Sequence, residues 1–189
     1  MKNIANLLFE AKMLKEIPRS GFHFLGPGKE SVAEHTFSTT FIAYVLAQLQ
    51  PEVDALKLIS MCLVHDLAEA RTGDLNSVHK VYVKADEAKA LEDTTSGLPF
   101  GSAMTDLIQE FNQNSSVEAR LAHDADQIAL ILELKYLSDI GYTSPDTWLP
   151  HVLGRIQTKI AKELTRAIME THRDDWWLNY VVDSDTKND

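Results

Sequence analysis

One cysteine in 189 residues excludes a disulfide framework or a thiolate zinc knuckle built within the chain. That residue, Cys62, lies in an apolar helical run, reads as a small core side chain, and agrees with a reducing, cytoplasmic setting. Glycine is also scarce, at 8 residues, and nowhere forms a glycine-rich phosphate loop or a dinucleotide fingerprint; no Ser-His-Asp order is present either. Apolar runs are short. The N-terminal stretch Met1–Glu10 reads as an amphipathic helix rather than a signal peptide, and no run approaches the ~20 residues of a membrane span. Positive charge is lacking too. The formal net charge of -10 argues against nucleic acid polymers, which need a basic surface, but not against a small phosphate ester. Alternation with period two is absent, so no segment requires a strand. What these absences leave is a single all-α globular domain over residues 1–182, long enough to bury a core, with a disordered polar tail at 183–189.

Capping signals and breakers divide the chain. A first helix, about 3–16, ends before Pro18, and residues 18–29 form a loop punctuated by glycine and proline. Ser31-Val-Ala-Glu34 is a capping box that opens a helix to about residue 50, placing His35 in its first turn. A third helix is expected over 52–70, with Gly73 as the punctuation after it. Residues 75–83 read as irregular. Helices follow at 84–94 and 102–112. A second capping box, Ser115-Ser-Val-Glu118, opens a helix to about 140 that Gly141 ends. One helix is expected over 145–170, and a short one holds Trp176 and Trp177.

The run Met61-Cys-Leu-Val-His-Asp-Leu-Ala-Glu-Ala70 carries the chemistry. An ionised Asp66 beside His65 on an apolar helix is costly unless something compensates it, and a metal ion does so. His35 lies upstream and Asp126 downstream. Imidazole and carboxylate together suit a divalent ion used for hydrolysis. At about 100° per residue, His65 and Glu69 share a helix face while Asp66 lies a quarter-turn around. Glu69 is thereby placed to reach a water as general base or to position it. Asp74, after Gly73, is expected on a tight turn that points back at the same cleft. Asp124 rivals Asp126, because His123-Asp124 is a second His-Asp pair; apolar neighbours at 130 and 137, or at 128 and 131, flank either choice.

The motifs Glu30-Ser-Val-Ala-Glu-His35, His65-Asp-Leu-Ala-Glu-Ala-Arg-Thr-Gly-Asp74 and Ala125-Asp-Gln127 resemble those of the HD-domain metal-dependent phosphohydrolase superfamily, in its small 5'-deoxynucleotidase-like branch. The resemblance runs from about Ile4 to Tyr142. It implies that His35, His65, Asp66 and Asp126 hold one divalent metal, and its Asp-Gln step selects Asp126 over Asp124. His123 and Asp124 are then expected behind the ligands or at the surface. It also implies that Arg19 orients a substrate phosphate, as a guanidinium fork suits a phosphate dianion. Asp66 and Asp74 are expected to contact substrate, and Asp74 to join Glu69 in catalysis. Phe22 matches an aromatic of the eukaryotic relatives, and Ser77 keeps a hydroxyl where bacterial members have threonine. Ser20 stands where the bacterial enzymes have tryptophan, and Asn76 where they have proline; both changes fall where 2'-deoxy selectivity would be read.

The expected activity is removal of phosphate from (deoxy)nucleoside 5'-monophosphates by a homodimer. The alternatives are an HD hydrolase of a nucleoside triphosphate or phosphodiester, and a non-catalytic, metal-stabilised helical interaction module. Manganese, cobalt, iron, nickel, zinc and magnesium all suit the mixed donor set. His23, His79, His151 and His172 lack partners at ligand spacing and read as surface or loop residues. Trp148, Trp176 and Trp177 read as packing for the late helices. Lys80 and Lys84 are candidates to add positive charge near a phosphate.

Overall fold

Five of the longer helices begin at side-chain caps in the computed structural model, which describes residues 1–185. Its helices are α1 Lys2–Met13, α2 Phe22–Leu25, α3 Val32–Leu49, α4 Ala55–Val64, α5 Glu69–Thr72, α6 His79–Tyr82, α7 Glu87–Thr95, α8 Gly101–Gln113, α9 Val117–Asp139, α10 Pro145–Leu153, α11 Lys159–Glu170 and α12 Asp175–Asp185. Ser31, Asp54, Asp86, Ser116 and Thr158 each accept a first-turn backbone N–H at the start of α3, α4, α7, α9 and α11. The Ser31–Glu34 capping box forms as expected, the Glu34 carboxylate accepting from Ser31 N at 2.6 Å. The second box does not form. Ser116 caps α9, and Glu118 instead reaches across to α4, accepting from Asp54 N at 3.2 Å and lying 3.6 Å from Lys57 Nζ.

The long α9 packs against α3, α4, α8, α10 and α11, and its buried Leu121, Ala125, Ile128, Ile131 and Leu134 meet Ala43 and Leu46 of α3 and Leu58 and Met61 of α4 in one core. A helix buried on most of its circumference lies at the centre of a bundle, and the expected all-α class holds. Cys62 is fully buried in that core. An isolated antiparallel bridge between Pro18 and Ser31 closes the loop between α1 and α3, with Arg19 N donating to Glu30 O at 2.8 Å.

The expected helix over 52–70 is interrupted. After α4 the chain tightens: Leu67, Glu69, Ala70 and Arg71 all donate to the carbonyl three residues back. With three residues per turn, side chains at i and i+3 eclipse, so Asp66 and Glu69 fall on one face, which a regular α-helix would have offset. Gly73 then takes φ +72, a left-handed value that favours glycine, and the chain returns at Asp74. The stretch expected to be irregular contains one helical turn, α6. Asn76 Oδ1 accepts from Val78 N and His79 N, both at 3.0 Å, at its start.

The expected helix over 145–170 is two helices. Asp124, expected behind the ligands or at the surface, is fully buried and faces the break. Its carboxylate accepts from Gln157 N at 2.7 Å, Thr158 N at 2.9 Å and Thr158 Oγ1 at 2.6 Å. A buried carboxylate that takes three donors from one turn fixes the chain there and starts α11 afresh. Asp124→Ala is expected to destabilise the protein by about 3 kcal/mol, from the three lost hydrogen bonds and the orphaned N–H groups; the urea midpoint measures it. Trp176 is largely exposed and Trp177 partly so, so neither is packing of the kind expected; Trp148 does pack against the core. The helix α12 continues to Asp185, into the stretch expected as a tail, whose remaining residues 186–189 lie outside the described residues.

Candidate metal centre and its cleft

Three elements bring the imidazoles and acids together. The first turn of α3 supplies His35, the tightened turn after α4 supplies His65 and Asp66, and the middle of α9 supplies Asp126. One ligand atom from each of His35, His65 and Asp126 lies within 4.8 Å of the others. His35 Nε2 is 2.9 Å from Asp126 Oδ1. Asp66 stands beside this trio: its Oδ2 is 3.2 Å from His65 Nε2 and 3.8 Å from His35 Nε2, and Arg19 Nη1 draws it from the other side at 3.5 Å.

The polar atoms at this point fit a cation. His65 Nδ1 is 2.7 Å from the Cys62 carbonyl; a hydrogen on Nδ1 leaves the Nε2 lone pair free for a metal, the usual arrangement for a ligating histidine. His65 Nε2, Asp66 Oδ2 and Glu69 Oε2 are buried and make no hydrogen bond. Such groups are expensive to leave unmatched; a divalent ion would satisfy the first two, and a water beside it the Glu69 oxygen. His123, the rival imidazole, is accounted for otherwise. Its Nε2 is 2.8 Å from the Phe111 carbonyl, and its ring stacks on Phe111, which in turn leans on His65.

Above this floor lies a cleft of about 590 Å³. Of the sequence candidates, Arg19, Phe22, His65, Asp66, Glu69, Asp74, Ser77 and Asp126 line it, and Lys80 does as well. His35 is fully buried beneath; Lys84 is not among the lining residues. Sequence reasoning missed several others. Ser20 grips Asp74: its N donates to Asp74 Oδ2 at 2.5 Å and its Oγ to the same oxygen at 3.1 Å and to Asp74 O at 2.8 Å. Glu30 is buried with its carboxylate 3.9 Å from Arg19 Nε. His123, Gln127, Trp148, His151 and Arg155 also line the cleft, so the reading of His151 as a surface residue is incomplete. The only sequence signal for Gln127 and Glu30 was membership of the motifs, and for Ser20 its place where bacterial members have tryptophan; nothing local marked Trp148, His151 or Arg155.

Electrostatics follow from crowding. Burial, then the charges of Asp66 and Asp74, push Glu69 up to about 8. Burial, then Glu133, pushes Glu30 up to about 7. Burial opposes charge on His65, but the Asp66 carboxylate outweighs it and carries the imidazole to about 9. Burial likewise opposes charge on Asp126, yet the hydrogen bond and charge of His35 hold it below the usual carboxylate range. In metal-free protein, Glu30, Glu69 and His65 therefore contribute stability that is full below their unfolded values of 4.5, 4.5 and 6.5 and lost as pH rises through about 7, 8 and 9. Asp126 acts oppositely, contributing above 3.8 and losing its contribution as pH falls. The melting temperature in chelator is expected to be highest at mildly acidic pH and to decline toward about pH 9. A melting temperature that climbs over that interval contradicts this assignment.

The HD-domain family matches residues 11–168. The human protein named 5'-deoxynucleotidase HDDC2 is 28% identical over 150 residues, 76% of this chain and 68% of its own length. Its namesake from Dictyostelium discoideum is 30% identical over 132 residues, 64% of this chain and 70% of its own. A conserved hypothetical protein from Pyrococcus furiosus, of solved structure, is similar at a TM-score of 0.74 and 28% identity, over 88% of this chain and 99% of that one. A protein from Magnetospirillum magnetotacticum, described as a predicted metal-dependent phosphohydrolase, shares the fold at a TM-score of 0.70 and 23% identity, over 89% of this chain and 90% of that one. With its imidazoles and acids gathered from three helical elements at the floor of one cleft, the chain belongs to the HD-domain family.

Proposed function

We propose that this protein is a metal-dependent phosphomonoesterase that releases phosphate from (deoxy)nucleoside 5'-monophosphates. The observation that carries the reading is the meeting of His35, His65 and Asp126 with Arg19, Glu69 and Asp74 in one cleft. The names of the HDDC2 relatives support it. His35, His65, Asp66 and Asp126 would hold one divalent ion, of manganese, cobalt, iron, nickel, zinc or magnesium, which when bound supplies Lewis acidity at the phosphoryl group.

The chain's own residues supply the rest. Arg19, flanked by Asp66 and Glu30, presents its fork to the phosphate dianion and keeps its charge at any working pH. Glu69, with an unpartnered oxygen, accepts the proton of the water that attacks phosphorus. As the bond to the sugar oxygen breaks, that oxygen takes up a proton by way of Asp74 and leaves as the nucleoside hydroxyl. Ser20 engages Oδ2 of Asp74, which fixes that carboxylate for substrate contact. Phe22 and Ser77 line the same wall. Phosphoryl transfer asks for little beyond positioning and charge neutralisation, so a small helical scaffold suffices.

A homodimer in the cytoplasm belongs to the same reading. The single, buried Cys62 fits a reducing compartment. The exposed aromatic row Phe37, Phe41 and Tyr44 on α3 fits a surface that meets another protein.

The test is phosphate release from ribo- and deoxyribonucleoside mono- and triphosphates and phosphodiesters with each divalent metal. Release from 5'-monophosphates is expected, and the sugar preference will show what Ser20 and Asn76 changed. Turnover of triphosphates or diesters alone would move the protein to another HD activity. Metal binding without any turnover would favour the helical interaction module.

A further inference from the structure

The phosphate end of the cleft accounts for only part of it. Beyond Asp126 the walls change character, with Phe24, Leu130 and Trp148 as apolar surface and Gln127, His151 and Arg155 as polar groups. The geometry points to a nucleobase subsite at this α10 end, with Trp148 as the stacking platform and Arg155 as the reader of a keto base, guanine first. This rests on the nucleotidase reading above and names the part of the substrate that the reading leaves open.

Three observations carry it. First, the indole of Trp148 comes within 3.8 Å of where a side chain on Gly21 would begin. The ring therefore abuts the short loop that carries Arg19 and Ser20, and Arg19 and Trp148 line the same cleft. Second, Arg155 is where it is because Asp124 breaks the chain between α10 and α11; a continuous helix would carry it elsewhere. Its Nη1 donates to Gln127 Oε1 at 3.4 Å, and Gln127 Nε2 donates to Asp126 Oδ2 at 2.8 Å. The guanidinium is thus one glutamine away from the metal centre. Third, Gln127 already commits one amide N–H to Asp126 and one oxygen lone pair to Arg155, whereas Arg155 commits only one of five N–H donors to that glutamine.

A flat apolar ring beside a donor-only fork selects a ligand with a π-face and paired acceptors. Guanine offers O6 and N7 to arginine in that way, while adenine presents an N–H where guanine has O6. A second phosphate is a poorer match, since Phe24, Leu130 and Trp148 offer it nothing.

The experiment compares kcat/KM for deoxyguanosine 5'-monophosphate, deoxyadenosine 5'-monophosphate and abasic 2-deoxyribose 5-phosphate in metal-loaded wild type, Arg155→Ala and Trp148→Ala. Wild type is expected to prefer guanine over adenine by about tenfold, and either nucleotide over the abasic sugar phosphate by about tenfold. Arg155→Ala should bring the guanine-to-adenine ratio near one. Trp148→Ala should remove the nucleotide-to-abasic advantage. Arg155 is exposed, so its truncation leaves the fold intact even if Trp148→Ala does not. Ratios that are flat in wild type, or unchanged in Arg155→Ala, overturn the subsite. Calorimetric binding of deoxyguanosine, which carries no phosphate, separates the two failures. Binding that is lost in Arg155→Ala upholds the subsite even if no monophosphate is hydrolysed, and absence of binding by wild type overturns it whatever the enzyme hydrolyses.

Discussion

Glu69→Gln is expected to slow phosphate release by about 100- to 10,000-fold, the range for loss of one positioned acid–base group, while the metal content stays at the wild-type level. Glutamine keeps the shape of the side chain and removes only its ability to take a proton. The local energetics make this variant unusually clean. Glu69 is crowded by burial and by the charges of Asp66 and Asp74, which lift it to about 8, and its Oε2 is buried without a hydrogen bond. A neutral amide relieves that repulsion, so the melting temperature should hold or rise, most clearly at alkaline pH. Activity and stability then move in opposite directions, the signature of a group held at a local cost for function. Turnover within tenfold of wild type would remove Glu69 from proton transfer.

Asp126→Ala is expected to weaken divalent-metal binding by at least about 100-fold, because even partners of metal ligands cost 10- to 100-fold when removed. The readout is thermal: a metal at a hundred times its Kd adds about 2.7 kcal/mol of stability, and this increment should vanish in the variant. Asp124→Ala gives the reverse pattern, a lower urea midpoint with the metal increment retained. The two acids are two residues apart on α9, which turns their side chains to opposite sides of the helix. Asp126 reaches His35 at 2.9 Å, whereas Asp124 reaches the start of α11. Wild-type metal affinity in Asp126→Ala would dismiss it as a ligand.

These two acids also show how far the sequence could be read. They stand two residues apart, Asp124 after His123 and Asp126 after Ala125, and apolar neighbours flank either face. Periodicity leaves the choice open because α9 is buried on most of its circumference, so no polar face marks one side as the exception. The motif resemblance chose Asp126, and the structure gives Asp124 its separate employment holding Gln157 and the α11 cap residue Thr158. The capping boxes show the same limit on a smaller scale. Ser31–Glu34 closes on itself as its spacing predicts, but Glu118 is taken by Asp54 and Lys57, partners distant in sequence.

By itself the sequence determined the helical class and the start of α3 with His35 in its first turn, and its motifs marked His65, Asp66, Glu69, Asp74 and Asp126 among the residues that line the cleft, though not His123 or His151. Those features rest on local causes: hydroxyl and carboxylate caps, the 3.6-residue period, and a glycine at φ +72 before Asp74. Tertiary structure alone decided that the turn after α4 tightens so that Asp66 and Glu69 share a face, that α10 and α11 part, and that Ser20 grips Asp74 across 54 residues of sequence. The last two depend on hydrogen bonds supplied from elsewhere in the chain, by Asp124 and by Asp74. A buried carboxylate will take whichever donors the fold brings to it, and no local pattern records which those are.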